Sequence, residues 1–294
     1  MISLDDAFAK FKSRLELNDR EQKDVSNRHY EVRDHVKAAF CVDRDILTGS
    51  YARYTKTKPL KDVDIFFILN NDEEGHYRDR QPTDLLEALR SALATQYGEG
   101  QVDTERRCVT IDFNVRGQED RVLSIDAVPA YADGDHYIIP DPWIEEGWTR
   151  TDPERHAVLT TEANKAFSGQ WKPMVKMLKK WNEHHDKPVK PSFLVEVMAL
   201  DILYPPFSGG YVYELKGFFA TAAQRIRETW DDPAGLGPPV SDRMDTAQCD
   251  VAQGMLEEAR RYVDRAIQLK RQGKNGDALR VWRDDIFGPL FPLS

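Results

Sequence analysis

Two acids stand two residues apart in the stretch DVDIFFIL, Asp62 and Asp64, and a third, Asp126, interrupts the apolar run LSIDAVPAY. Side chains alternate along an extended strand, so Asp62 and Asp64 project to one side while Val63 and Ile65 project to the other. Two carboxylates that close repel unless positive charge lies between them, and a divalent cation is the usual source of it. Upstream, Gly49 and Ser50 open the run GSYARY. Gly49 lets backbone amides approach a phosphate, and Ser50 adds a hydroxyl donor ahead of a short helical turn expected over Tyr51 to Tyr54. A cation held by acids beside a phosphate-binding turn points to metal-assisted phosphoryl or nucleotidyl transfer.

Such a transfer asks for a third carboxylate from a neighbouring strand, on the metal that activates the attacking hydroxyl. Asp126 is the candidate, because a charge in an otherwise apolar strand just before Pro129 is costly unless it meets a cation. Asp112 in VTIDFNV competes for the role, but TIDFN alternates like a half-exposed strand, so Asp112 reads as outward-facing or structural.

Hydrophobic spacing indicates the elements that hold these side chains. Phe8, Phe11 and Leu15, then Val25, Val32 and Val36, recur at helical intervals and predict two helices within residues 4–40. His29 shares the second of these faces and reads as a packed side chain without a functional role. A strand is expected over 63–69, then a helix from Pro82-Thr83-Asp84 with Leu85, Leu86, Leu89 and Leu93 on its buried side. Strands resume at CVTIDFNV and RVLSIDAVPAY. From Asp152 the pattern turns helical, over 161–168, 171–185, 192–204, 211–230 and 246–272. The Pro- and Gly-rich stretch 231–242 reads as a surface loop inside this helical part. The expected class is α+β: a catalytic core with N-terminal helices over 1–151, and a helical domain over 152–294, with a nucleotide cleft between them.

With 294 residues, 40% hydrophobic and 31% charged, the chain is globular. No apolar run approaches the about 20 residues that span a bilayer, and MISLDDAFAKFKSRL has no signal-peptide core, so a cytoplasmic protein without membrane contact is expected. Cys41, Cys108 and Cys249 lie far apart and form no CxxC pair, which suggests reduced thiols rather than disulfides or zinc. A net charge of −9 argues against sequence-independent binding to long nucleic acid.

The stretches GSYARYT, DVDIFFIL and SIDAVPAY together resemble the signature of the DNA polymerase beta-like nucleotidyltransferases. The last of them is similar to the branch containing oligoadenylate synthetase, cyclic GMP-AMP synthase and the bacterial CD-NTases of anti-phage (CBASS) operons. WKPMVKMLKKWNEHH followed by KPSFLVEVMAL resembles the helix and the Ser-aromatic-x-x-Glu segment after the core in that branch, and WRDDIFGPLFP resembles the end of many bacterial members. The resemblance implies a polymerase-beta-like core, a mixed sheet with flanking helices, plus a C-terminal helical domain. It implies that Asp62 and Asp64 bind two Mg²⁺ ions, replaceable by Mn²⁺, and that Asp126 holds the one next to the attacking 2′- or 3′-hydroxyl. The implied substrates are ribonucleoside triphosphates, ATP with or without GTP, UTP or CTP, and the implied product is a cyclic di- or trinucleotide second messenger. A downstream effector would bind that product rather than this chain.

Lys172, Lys176 and Lys179 or Lys180 share one helix face, which unaided reads as a solvated basic surface. By resemblance, Lys176 and Ser192 grip the triphosphate and Phe193 stacks on a base; Ser192 also suits a helix N-cap, and Glu196 reads as structural. Two features depart from the family: the loop YTKTKPLK is longer than in several relatives, and no zinc insertion is present, which argues against the DNA-sensing animal enzyme. Two other readings share these residues. One is an enzyme that modifies a tRNA, protein or small molecule, or makes linear oligoadenylates; the other is an inactive binding module, against which the presence of all three acids speaks.

Overall fold

The computed structural model describes residues 2–58, 60, 62–115 and 122–294, which divide into two units. A sheet unit comprises Leu17–Ala157 with Ala234–Gly237, and a helical unit comprises Met1–Glu16, Val158–Pro233 and Pro238–Ser294. The first helix, α1 (Leu4–Arg14), therefore groups with the helical unit and not with the core, and the boundary expected at 151/152 falls at 157/158. The reason is aromatic packing. Phe8 lies 5.0 Å from Trp282 and 5.3 Å from Phe291, and Phe11 lies 4.7 Å from Phe287, ring to ring.

The sheet unit opens with α2 (Asp19–Ala39), started by a reciprocal cap in which the Asn18 side chain accepts the Glu21 amide and the Glu21 carboxylate accepts the Asn18 amide. Strand β1 (Val42–Leu47) leads into the one-turn helix α3 (Gly49–Ala52) and then β2 (Asp62–Leu69). After α4 (Asn71–Glu74) comes α5 (Pro82–Tyr97), which buries Leu85, Leu86, Leu89 and Leu93 as their spacing predicts. Strands β3 (Val102–Thr104), β4 (Val109–Asp112), β5 (Ser124–Asp133), β6 (His136–Pro140) and β7 (Trp148–Thr151) follow. The sheet runs β1-β2-β5-β4-β3, with β6 pairing β5 and β7 pairing β6. It is mixed: β2 and β5 are parallel, and the other pairs are antiparallel.

The two faces of β2 separate as the alternation requires. Val63, Ile65, Phe67 and Leu69 pack in one cluster with Val25, Val32 and Val36 of α2 and the α5 leucines, whereas Phe66 and Ile68 join Val128 and Ala130 of β5 in another. Asp62 and Asp64 thus extend the row of Phe66 and Ile68, on the face away from α2 and α5.

The helical unit contains α1, most of α6 (Pro153–Ala166), α7 (Trp171–His184), α8 (Ser192–Ile202), α9 (Tyr211–Arg225), α10 (Thr246–Arg271) and α11 (Asn275–Arg280), which runs into a π-helical segment, Val281–Phe287. Its core collects Trp171, Trp181, Phe219 and Trp282 with the aliphatic faces of α7 to α10. The helix expected over 161–168 begins earlier, at Pro153. The stretch expected to be a plain surface loop does more: Gly237, at φ +69°, lies so close to β7 that a Cβ there would sit 2.7 Å from Thr149 Oγ1, and its segment groups with the sheet unit. Among the described residues, no helix is long and apolar enough to cross a membrane.

Candidate active site

Asp64 on β2 and Asp126 on β5 stand directly opposite each other in the parallel pairing of these strands, and Asp62 is opposite Ser124. Residues opposite one another on neighbouring strands present their side chains to the same face, so two acids chosen from separate stretches of sequence become neighbours. Burial pushes the Asp126 carboxyl up to about 7; the nearby Asp64 charge and then Asp62 add to this, while a hydrogen bond from Thr110 and the charge of Lys56 oppose it. The bond from Thr110 Oγ1 to Asp126 Oδ1 is 2.7 Å long. Thr110 belongs to β4, where it is opposite Asp126 in the antiparallel pairing.

The turn before β2 is built against Asp64. Gly49 has φ +61°, a conformation that L side chains rarely adopt, and a Cβ there would lie 1.7 Å from Asp64 Oδ2. The Thr48 amide donates to Asp64 O at 2.9 Å, which ties the start of α3 to β2. The turn expected from Tyr51 begins two residues earlier, at Gly49, so that Gly49 and Ser50 form its first positions. Lys56 Nζ donates to Asp62 O at 2.6 Å and lies 3.5 Å from Asp62 Oδ2. The lysine side chain is 11% exposed and the carboxylate 56%. Among the described residues no three His, Cys, Asp or Glu side chains close into a metal cage. The arrangement is instead a pair, Asp64 and Asp126, with the more exposed Asp62 beside Lys56. A buried carboxyl whose pKa is raised by burial and by the charge of a neighbouring carboxylate is a donor that a hard divalent cation relieves, and Mg²⁺ commonly takes one or two carboxylates and completes its shell with water and substrate phosphates. The residues present fit such an ion.

Asp112, the competitor, has its Oδ1 at 2.7 Å from the Asn114 amide, which it accepts in a local turn at the end of β4. Its structural reading agrees with that position. His29 does more than pack: its Nε2 lies 2.7 Å from Asp45 Oδ2 on β1, and Lys37 bridges the other oxygen at 2.8 Å.

In the helical unit, the lysine face of α7 is not a solvated surface. Lys176 and Lys179 are buried, Lys176 Nζ lies 2.6 Å from Glu16 Oε2, and Lys179 pairs with the buried Glu196. Lys172 donates to Thr161 Oγ1 at 3.2 Å, and burial, then the Lys176 charge, lowers its pKa. Lys180 lies on the Glu183 carboxylate at 3.1 Å. Ser192 is the first residue of α8 and Pro191 holds the cap position, so the N-cap reading of Ser192 does not apply. Phe193 is half-buried and packs on the helical core. Sequence reasoning missed Thr110. Its partner Asp126 is 16 residues away in the chain, and nothing in VTID marks which strand β4 will pair with.

Similarity to known proteins in fold and, above all, in sequence places this chain in a class. A solved structure from E. coli MS115-1, CdnC with ATP, shares the fold with a TM-score of 0.71 and 19% identity, covering 99% of each chain. Two curated proteins are similar in sequence. A Bacillus cereus (strain VD146) protein named "Probable cyclic nucleotide synthase" is 26% identical over 83% of this chain and 81% of its own length. The "Cyclic AMP-AMP-AMP synthase" of Acinetobacter sp. is 26% identical over 92% of this chain and 80% of its own. The class is that of the nucleotidyltransferases that make cyclic nucleotides. Residues 2–164 match the Second Messenger Oligonucleotide or Dinucleotide Synthetase domain, SMODS, and the chain belongs to that family.

Proposed function

We propose that this chain couples ATP, alone or with GTP, UTP or CTP, into a cyclic di- or trinucleotide for anti-phage signalling in the cytoplasm, with Asp62, Asp64 and Asp126 as its catalytic and metal-holding residues. The observation that carries the assignment is the direct opposition of Asp64 and Asp126 on parallel strands beside the Gly49 turn. Two divalent cations, Mg²⁺ or Mn²⁺, would lower the pKa of the attacking hydroxyl and neutralise the departing pyrophosphate. Asp62 and Asp64 would hold both, and Asp126 the one beside the hydroxyl. Gly49 and Ser50 would offer donors to the triphosphate from the first turn of α3, while Lys176, Ser192 and Phe193 would meet the triphosphate and a base from the helical unit. Ring closure asks that the linear intermediate turn round and present its free hydroxyl to the same three acids. ATP as a substrate is supported by the Acinetobacter relative, whose name states an all-adenylate product.

The test is incubation of the purified chain with Mg²⁺ and labelled ribonucleoside triphosphates, without nucleic acid. The expected product resists alkaline phosphatase and has the mass of its nucleoside monophosphates less one water each. Linear, phosphatase-sensitive products would indicate an oligoadenylate-type enzyme, and no product until a tRNA or protein is added would indicate a modifying one.

A further inference from the structure

We infer that Thr110 is a positioning residue for this reaction: its hydroxyl fixes one oxygen of Asp126 and so orients the carboxylate for the metal. The inference rests on the proposed role of Asp126 as a metal ligand. Across the neighbouring strands β2, β5 and β4, Asp64, Asp126 and Thr110 stand opposite one another in a single row. Thr110 Oγ1 donates to Asp126 Oδ1 at 2.7 Å, leaving the second carboxylate oxygen for another ligand. An aspartate has a broad, nearly two-fold torsion at χ2, so without a partner the plane of its carboxylate is poorly set. Mg²⁺ demands near-ideal octahedral geometry and is sensitive to that plane. The threonine hydroxyl can also accept, and Cys108 lies two residues before it with Sγ 4.0 Å from Oγ1. With its single hydrogen on Asp126 Oδ1, the Thr110 hydroxyl keeps its lone pairs for the Cys108 side. A role confined to sheet stability would need only the branched shape of the side chain, which valine shares.

The experiment compares Thr110→Val, Thr110→Ser and Asp126→Asn with the wild type. Binding of Mn²⁺ is followed by the electron paramagnetic resonance of free Mn²⁺ in the presence of a non-hydrolysable ATP analogue, beside kcat, KM for ATP and thermal melting. Thr110→Val is expected to weaken Mn²⁺ binding by roughly 10–100-fold and to lower kcat much more than it changes KM, while Thr110→Ser restores both. Thr110→Ala, which also lacks the hydroxyl, replaces the valine variant if that one does not fold. Wild-type Mn²⁺ affinity in the hydroxyl-free variants, equal impairment of valine and serine variants, or an effect on melting alone would each overturn the inference. Wild-type Mn²⁺ binding and activity in Asp126→Asn would overturn the reading of the site itself, whatever Thr110 does.

Discussion

Gly49 is the position where a single methyl group has the most to disturb. Its φ of +61° and the 1.7 Å separation that a Cβ would have from Asp64 Oδ2 mean that Gly49→Ala must displace the carboxylate, the turn or both. A misplacement near 1 Å costs on the order of 100-fold in rate, so kcat should fall by about that factor, and the strained backbone should lower the melting temperature as well. The three acids give a sharper contrast. Asp64→Asn and Asp126→Asn should abolish product formation, whereas Asp112→Asn, whose carboxylate caps the Asn114 amide, should keep most activity; the reverse pattern in a turnover assay would identify the wrong third acid. In the helical unit, Glu16 competes for the ammonium that Lys176 would offer a triphosphate. Glu16→Gln should therefore lower the apparent KM for ATP and Lys176→Glu should raise it. Equal, small changes at both positions would return the pair to a structural role.

Between strands, charge pairing explains features that apolar periodicity does not. Asp141, just after β6, is fully buried and takes a hydrogen bond from Arg106 Nε at 2.7 Å and one from Arg107 Nε at 2.8 Å. Burial pushes its carboxyl up, but the bonds and charges of Arg106 and Arg107 outweigh this and hold it below the ordinary carboxylate range. A carboxyl with a depressed folded-state pKa contributes stability that is complete above its unfolded value, about 3.9, and is lost as pH falls through the folded value. The melting difference between wild type and Asp141→Asn should therefore be full near neutrality and shrink as the solution is acidified below about pH 4. A difference independent of pH would show that packing, not charge, is responsible. The buried pair of Lys179 on α7 and Glu196 on α8 makes a parallel case. Lys179→Met removes the buried ammonium that pairs with Glu196, and denaturant titration should show a loss of stability, up to about 3–5 kcal/mol.

The net charge of −9 bears on what the whole molecule responds to. Long duplex nucleic acid binds through displacement of counterions by basic side chains, and here the acidic balance opposes it. Added duplex DNA should leave the rate of nucleotide joining unchanged at physiological salt. A large stimulation that disappears as salt is raised would reveal a local basic stripe hidden by the average.

Local pattern carried much of this description. The alternation in DVDIFFIL put Asp62 and Asp64 on one face and the aliphatic residues on the other, and helical spacing marked the buried leucines of α5, because both depend only on residues two to four apart. The acids and the Gly-Ser turn were legible for the same reason. Strand β1, VDRDIL, was not: its charges disguise it, and they make sense only once α2 brings His29 and Lys37 to Asp45. The attachment of α1 to the distant Trp282, Phe287 and Phe291 was equally silent in the sequence, as was the pairing of Lys176 with Glu16, 160 residues away. Thr110 belongs with these, since its value lies wholly in the register of β4 on β5. Periodicity states which face of an element is buried, but which buried faces meet, and in what register, is settled by the packing of the entire chain, and a slip of one residue would turn Thr110 to the other side of the sheet.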